Sequence, residues 1–432
     1  MQMIRELERL RTEDYQGKLV QCVHCGLCLQ ACPTYRLWGS EMDAPRGRIA
    51  LMKAVSAGRL IETDIRAEFS KHIDYCLACR SCESVCPSGV QYGALVEQAR
   101  IVVENNRRPG LGERFLRWSG TRQLMPYPGR LRFLARLLRI YQAIGLQRLV
   151  RRLNFLPTSL RSMESLLPPI ELPDHRAADY SPVHQANERL LVFTGCIQEG
   201  FLSQVNRATV RVLKRNGYEV EIPSTQTCCG AAHLHLGDLD TARKLARKNI
   251  EAFFNQSDSE TIICNAGGCG LALKEYSSLL ADDSEYAARA KEFSARVKDI
   301  SEFLVDHSFE PPTGDVRAKA TYADSCHLRH GQKVVDPPRA LLKQIPGLSL
   351  VELQSPDQCC GSAGVYNLAF PEVAGELLKA KMADIASTGA DLIITSNPGC
   401  QLQLIAGVRQ AGLAARVLHV VEVIDLAYSN SD

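Results

Sequence analysis

The apolar positions of this chain change their period partway along. Residues 46–57 (RGRIALMKAVSA) and 61–73 carry helical patterning. So do residues 130–153 (RLRFLARLLRIYQAIGLQRLVRRL). There Leu134, Leu137, Leu138 and Tyr141 recur at the spacing that puts them on one helix face, with Arg132, Arg136 and Arg139 on another. Beyond residue 189, short apolar runs alternate with longer amphipathic stretches. Leu190–Thr194, Tyr218–Ile222 and Thr261–Cys264 read as strands, with Val205–Asn216 and Asp240–Phe254 as helices between them. The series recurs as strands Ala320–Ala323, Ser349–Glu352 and Asp391–Thr395, with helices Pro338–Ile345 and Pro371–Thr388. Alternation of this kind predicts parallel α/β units, twice over.

Cysteine spacing adds chemistry to the pattern. Cys22, Cys25, Cys28 and Cys32 precede Pro33, and Cys76, Cys79, Cys82 and Cys86 precede Pro87. Each run reads Cys-x2-Cys-x2-Cys-x3-Cys-Pro, the ligand run of bacterial [4Fe–4S] ferredoxins. A tight loop with a cysteine at every third residue reaches three irons of a cubane. The fourth iron faces away, and in two-run proteins its thiolate comes from the other run. The expected sets are therefore Cys22, Cys25, Cys28 with Cys86, and Cys76, Cys79, Cys82 with Cys32. Proline after the last cysteine fixes the backbone as it leaves. Two structural zinc sites are the competing reading, but zinc usually takes paired Cys-x2-Cys arms. The first twenty residues are polar and charged, with no signal-peptide core, so disulfides are not expected. An odd total of 17 cysteines agrees with metal sites and buried thiols in a reducing compartment.

The α/β half repeats its cysteines too. Cys196, Cys228, Cys229 and Cys269 are matched by Cys326, Cys359, Cys360 and Cys400, at offsets of 130 or 131 residues. These fall at strand ends, where α/β sheets place their sites. Two readings stand. The eight hold further iron–sulfur chemistry, in each repeat or shared between them, or they are buried reduced thiols on a scaffold. Cys264 has Thr395 opposite it and reads as a buried strand cysteine. His24, His233, His235, His327 and His330 lie near cysteines and are candidate ligands or polar pocket residues.

The predicted architecture is α followed by α/β: a helical two-cluster ferredoxin-like domain over 1–105, a basic helical linker over 106–188, and tandem cysteine-rich units over 189–312 and 313–432. The linker ends in an irregular stretch with Pro168, Pro169, Pro173 and Pro182. Between the cysteine runs, the turn at Ala44–Arg48 is either a plain helix start or a place for arginine to offset cluster charge.

Composition sets limits. The chain of 432 residues is 45% apolar with a net charge of +3, so no overall nucleic-acid field is expected. No window of 18 strongly apolar residues exists, so no membrane span is expected. Neither a Gly-x-Gly-x-x-Gly run nor a Walker motif occurs, so no flavin or nucleotide site is expected on this chain. Charge is uneven, however. Residues 107–153 hold twelve arginines, no lysine and one acid, Glu113. An amphipathic helix so basic either packs on a protein body or lies on a membrane surface.

These residues resemble a known family. CVHCGLCLQACPTYRLWGSEMDAPRGRIALMK (Cys22–Lys53), CLACRSCESVCPSGVQY (Cys76–Tyr92), CCGSAGVYNL (Cys359–Leu368) and NPGCQLQL (Asn397–Leu404) are similar to the iron–sulfur subunit of bacterial glycolate oxidase. The repeats resemble the "CCG" domains of heterodisulfide reductase, anaerobic glycerol-3-phosphate dehydrogenase and lactate-utilisation proteins. The resemblance implies an electron-transfer subunit of a complex that oxidises glycolate to glyoxylate, with FAD-containing partner subunits and a membrane quinone as acceptor. It implies two [4Fe–4S] clusters on the eight N-terminal cysteines, no flavin on this chain, and a cytoplasmic place, peripheral on the inner face of the membrane. Iron–sulfur subunits of lactate or glycerol-3-phosphate dehydrogenases, a heterodisulfide-reductase-like catalytic subunit, and a zinc-stabilised interaction protein are the rival readings. One departure stands out. The CCG pattern normally closes with Cys-x2-Cys, and here Ala266 and Asn397 replace the first cysteine of that pair.

Overall fold

A computed structural model describes residues 7–153, 158–170, 188–256, 260–307 and 309–431. The segment before residue 107 is helical. Helix α1 (Glu13–Val20) starts at Thr12, whose hydroxyl accepts the Tyr15 N–H. Helix α2 (Pro45–Ser56) carries proline at its first position, where the missing N–H costs nothing. Helix α3 (Tyr92–Asn106) buries Leu95, Val96, Ala99 and Val102 against Tyr15, Leu19, Met52 and Phe69. Gly47 is required in α2, because a Cβ there would sit 1.9 Å from the Glu41 carbonyl oxygen. The stretch 61–73, expected as one helix, is two short α-turns flanking a wider π-turn at Ile65–Phe69. Ser70 Oγ donates to the Ile65 carbonyl within it.

The basic linker contains α4 (Leu111–Arg117), α5 (Pro128–Ala143) and α6 (Leu146–Leu153). The single helix expected over 130–153 is broken at Gly145, which takes the left-handed conformation at φ +76°. Its buried face also differs from the expected one. Leu131 and Ala135 are buried, whereas Leu137 is 48% exposed. Packing decides this: Leu131 sits against Gly200, and Arg132 pairs with Glu199 at 3.2 Å, so the helix turns its Leu131–Ala135 side to the first repeat. Gln142 holds the following chain by hydrogen bonds to Pro168 and Ile170. The expected irregular stretch at Pro173 and Pro182 lies outside the described residues.

Each repeat folds around a four-stranded parallel sheet. The first comprises β1 (Arg189–Phe193), β2 (Glu219–Glu221), β3 (Ile262–Cys264) and β4 (Val297–Asp299), in the order β2-β1-β3-β4. The second comprises β5 (Ala318–Tyr322), β6 (Leu348–Leu350), β7 (Leu392–Thr395) and β8 (Arg416–His419), in the order β6-β5-β7-β8. Helices α7 (Cys196–Phe201), α8 (Ser203–Arg215), α9 (Leu239–Phe254) and α10 (Gly267–Lys274) belong to the first repeat. Helices α11 (Pro371–Thr388), α12 (Pro398–Ala411) and α13 (Val420–Ser429) belong to the second. The two sheets share one apolar core, which runs from Leu190, Val192 and Val212 through Tyr322 to Val423 and Ile424. Strands β4 and β8 were not anticipated from the sequence. Both are short sheet edges with charged residues among the apolar ones.

Candidate metal centres

The first site lies near the surface. Cys22, Cys25, Cys28 and Cys86 line one space, so the fourth thiol is supplied by the second cysteine run. Positive φ at His24 and Gly26 winds the loop tightly between its cysteines. Cys25 is exposed, and Val20, Val23 and Leu27 stand 60–70% exposed around it. Arg46 closes one side. It donates to the His24 carbonyl at 3.2 Å and pairs with Glu41. His24 itself is exposed and bonded to Lys53 at 3.3 Å.

The second site is buried. Cys76, Cys79 and Cys82 neighbour Cys32 from the first run, and all four are below a tenth exposed. Around them is a shell of donors and cations. Ala78 N donates to Cys76 Sγ at 3.4 Å, and the Tyr92 hydroxyl donates to it at 3.6 Å. Arg48, only 1% exposed, donates to the His72 carbonyl and to Thr34 Oγ1, and its Nη1 lies 3.9 Å from Cys32 Sγ. Arg100 donates to the Cys76 carbonyl. Burial pushes the Cys76 thiol up, but the guanidiniums of Arg48 and Arg100 outweigh it and hold the group below its usual range. Cys79 and Cys82 have no such cation as first neighbour, and burial followed by nearby thiolates raises both.

This donor set fits an anionic iron–sulfur group: four thiols per space, N–H and O–H donors aimed at sulfur, and buried guanidiniums. Among the described residues no three His, Cys, Asp or Glu side chains converge as a single metal ion requires. The turn at Ala44–Arg48 is a helix start and also delivers Arg48 to the thiols, so its two readings were not exclusive.

Sequence reasoning missed the clamp around this site. Arg80, between Cys79 and Cys82, makes a two-pronged ion pair with Glu275 of the first repeat, at 2.5 and 2.9 Å. Glu97 of α3 stands 3.6 Å away. From the second repeat, His327 donates to the Ala78 carbonyl at 3.0 Å, and His330 bonds Ser84 at 2.7 Å. The Tyr366 hydroxyl donates to the Tyr75 carbonyl, and the Tyr75 ring meets Trp38 at a tilt and Phe370 edge-on. The rings of His235 and His327 meet at a tilt, 5.3 Å between centroids. His233 bonds the Thr121 carbonyl at 2.7 Å. Four of the five histidines thus hold elements together, with only His24 at the surface.

The repeat cysteines gather at the C-terminal ends of β1 and β3, and of β5 and β7. Cys196 Sγ lies 3.5 Å from Cys228 Sγ, with Cys229 and Cys269 beside them. In the second repeat Cys359 neighbours Cys326, and Cys360 neighbours Cys400. Gly361, at φ +85°, sits so close to Ala374 that a Cβ would fall 2.6 Å from its carbonyl oxygen. Asn397, at the position of the missing cysteine, bonds Cys400 Sγ through Nδ2 and accepts the Gly268 N–H. Cys264 is buried within β3.

Comparison with known proteins agrees with this layout. Residues 18–90 match a 4Fe-4S dicluster domain, and residues 190–274 and 320–405 each match the cysteine-rich CCG domain. Residues 112–167 match the linker region of the glycolate oxidase iron-sulfur subunit. The probable glycolate oxidase iron-sulfur subunit of Bacillus subtilis is 42% identical over 98% of this chain and 97% of its own length. Its Escherichia coli counterpart is 34% identical over 97% of each. A fumarate reductase (CoM/CoB) subunit of Methanothermobacter marburgensis is 29% identical over 99% of this chain and 76% of its own. Two thiol sets of crossed origin, tandem CCG units and whole-length kinship lead to one assignment: the chain belongs to the family of glycolate oxidase iron–sulfur subunits.

Proposed function

We propose that this chain is the electron-carrying subunit of a complex that oxidises glycolate to glyoxylate, with FAD on partner subunits. The observation that carries the reading is the exchange of fourth cysteines: Cys86 joins Cys22, Cys25 and Cys28, and Cys32 joins Cys76, Cys79 and Cys82. Bound at these sets, two [4Fe–4S] clusters would supply one-electron transfer between a two-electron flavin and the acceptor. The chain's own residues prepare the sites. Arg48 and Arg100 offset negative charge, Tyr92 and Ala78 donate hydrogen bonds to sulfur, and the clamp from both repeats excludes water from the second set.

The linker supports a membrane-side acceptor. Phe115, Leu111, Trp118, Phe133, Ile140 and Ile144 are 47–86% exposed among the arginines of this segment. Such a face suits an anionic bilayer surface, where a quinone would accept the electrons. Among the described residues no helix is long and apolar enough to cross a membrane. Anaerobic purification tests the reading: the protein should be brown, contain iron with acid-labile sulfide, and give a reduced-cluster spin resonance signal. Colourless protein free of sulfide ends it. Glycolate oxidation by this chain without a flavoprotein partner would move it to the catalytic class.

A further inference from the structure

Three carboxylates share one arginine beside the buried thiol set. Arg80 stands between Cys79 and Cys82 in the chain. Glu275 of α10 takes both prongs of its guanidinium. Glu97 of α3 is left 3.6 Å away, and Glu83, which accepts the Gly93 N–H, is the third acid around it. His235 Nδ1 lies 4.0 Å from the same Glu97 oxygen that faces Arg80. Both distances exceed hydrogen-bonding reach, so these neighbours act on Glu97 through charge alone. His235 Nδ1 is buried and, among the described residues, has no hydrogen-bond partner.

The groups that face Glu97 leave it as the place for a proton. A cavity of about 20 Å³, room for a water, opens among Glu97, Arg80, His235, Glu275 and His327. Cys229 and Tyr276 of the first repeat line it too. Burial, then His327, Arg100 and Arg80, hold the His235 imidazole well below its usual range, so it stays neutral. His327 is held down to about 4, by burial first and then by Arg80. Neither ring is a ready proton acceptor. Arg80 is already engaged by Glu275, and Arg100 donates to the Cys76 carbonyl. Glu97 itself, raised to about 7 by burial and then by Glu275, accepts a proton near neutrality.

An electron added at Cys32, Cys76, Cys79 and Cys82 brings negative charge close to Arg80, where burial leaves little screening. We propose that Glu97 is a proton-binding site coupled to that electron. As one electron arrives from the flavoprotein partner, one proton from solvent forms an O–H bond on Glu97, and that bond breaks when the electron moves on. The net charge of the junction is thereby unchanged by the transfer. The inference rests on the electron-carrying reading above. Glu97 is a positioning residue, acting by charge through Arg80 and not as a ligand.

The test is a redox titration of the complete chain, purified without oxygen and followed by spin resonance. The signal that Cys79→Ser removes is the one to follow. In the parent its reduced-to-oxidised ratio at fixed poise should fall about tenfold from about pH 6 to about pH 9, about 59 mV for one electron. Glu97→Gln mimics the protonated acid, so its ratio should stay at the parent's acid-side value throughout. Asp299→Asn removes another buried acid, one outside this cavity, and should keep the parent's fall. A parent ratio that ignores pH overturns the inference and leaves the electron-carrying reading intact. So does a fall that persists undiminished in Glu97→Gln, or one lost equally in Asp299→Asn. The absence of any reducible signal overturns both.

Discussion

Replacing Glu97 by glutamine should change how stability depends on pH, by an amount the structure sets. Glu97 sits where α3 meets both repeats, 15% exposed, 3.6 Å from Arg80 and 4.0 Å from His235. Burial raises its carboxyl first, and Glu275 and Glu83 raise it further. Arg80 and Arg100 only partly oppose them, so the group is pushed up from 4.5 to about 7. At about 1.4 kcal/mol per pH unit, that gap amounts to about 3 kcal/mol. The sign follows from proton binding. Between pH 4.5 and 7 the folded chain holds a proton that the unfolded chain has released, so stability falls as pH rises through this range. Glutamine cannot titrate, so the Glu97→Gln protein escapes that loss. Its stability should nearly match the parent at pH 4.5 and exceed it by about 3 kcal/mol at pH 8, with most of the change between pH 5 and 8. Urea unfolding at several pH values, without oxygen, measures the difference, in which titrating groups remote from Glu97 cancel. A gap that stays constant with pH would refute the placement of Glu97 as a buried acid held near neutrality.

Cys86→Ser should resemble Cys25→Ser, each cutting iron from about eight to about four per chain in the N-terminal sites. If Cys86→Ser instead lost the same iron as Cys76→Ser, the crossing of fourth ligands would be wrong. Arg80→Leu strands Glu275 and Glu97 in a buried junction and should cost about 3–5 kcal/mol, read as a lower urea midpoint. Phe115→Ser with Trp118→Ser should weaken binding to phosphatidylserine-containing vesicles at least tenfold, since burying each aromatic contributes about 2 kcal/mol. Added salt should weaken the parent's binding as well. Equal binding to neutral phosphatidylcholine vesicles would count against an arginine-driven surface.

The features legible in the sequence were those written at short range or by repetition. Six cysteines of the two triplets are fixed by spacing within single loops, and the repeats declare themselves through matched cysteines. Helix α11 was placed at its observed ends because Pro371 opens it and Gly389, at φ +62°, closes it. By contrast, Arg80 finds Glu275 across 195 residues, and His327 finds Ala78 across 249. No local pattern encodes such pairs. The break at Gly145 was readable in principle, since glycine before a fresh helical turn is a stop signal, but the leucines on both sides hid it. Strands β4 and β8 escaped because Lys298 and Asp299 in one, and Arg416 and His419 in the other, leave neither an apolar run nor an alternation to read.

A duplicated fold need not give duplicated sites, and the asymmetry here comes from what packs on each copy. The tandem sheets have the same strand order and share a core, so each alone would present its cysteines in the same way. The helical N-terminal segment breaks that equivalence by docking unevenly. It offers Arg80 to Glu275 in the first repeat, whereas Ala78, Ser84 and Tyr75 are held by His327, His330 and Tyr366 in the second. The first contact is an ion pair made by Arg80, next to Cys79; among the others, His327 directly follows Cys326 of the second repeat. The second repeat's cysteines therefore abut the buried N-terminal site, where Cys359 packs in one cluster with Cys79 and Leu77. In the first repeat Asn249 bonds the Cys228 carbonyl and the Tyr276 hydroxyl within an aromatic core.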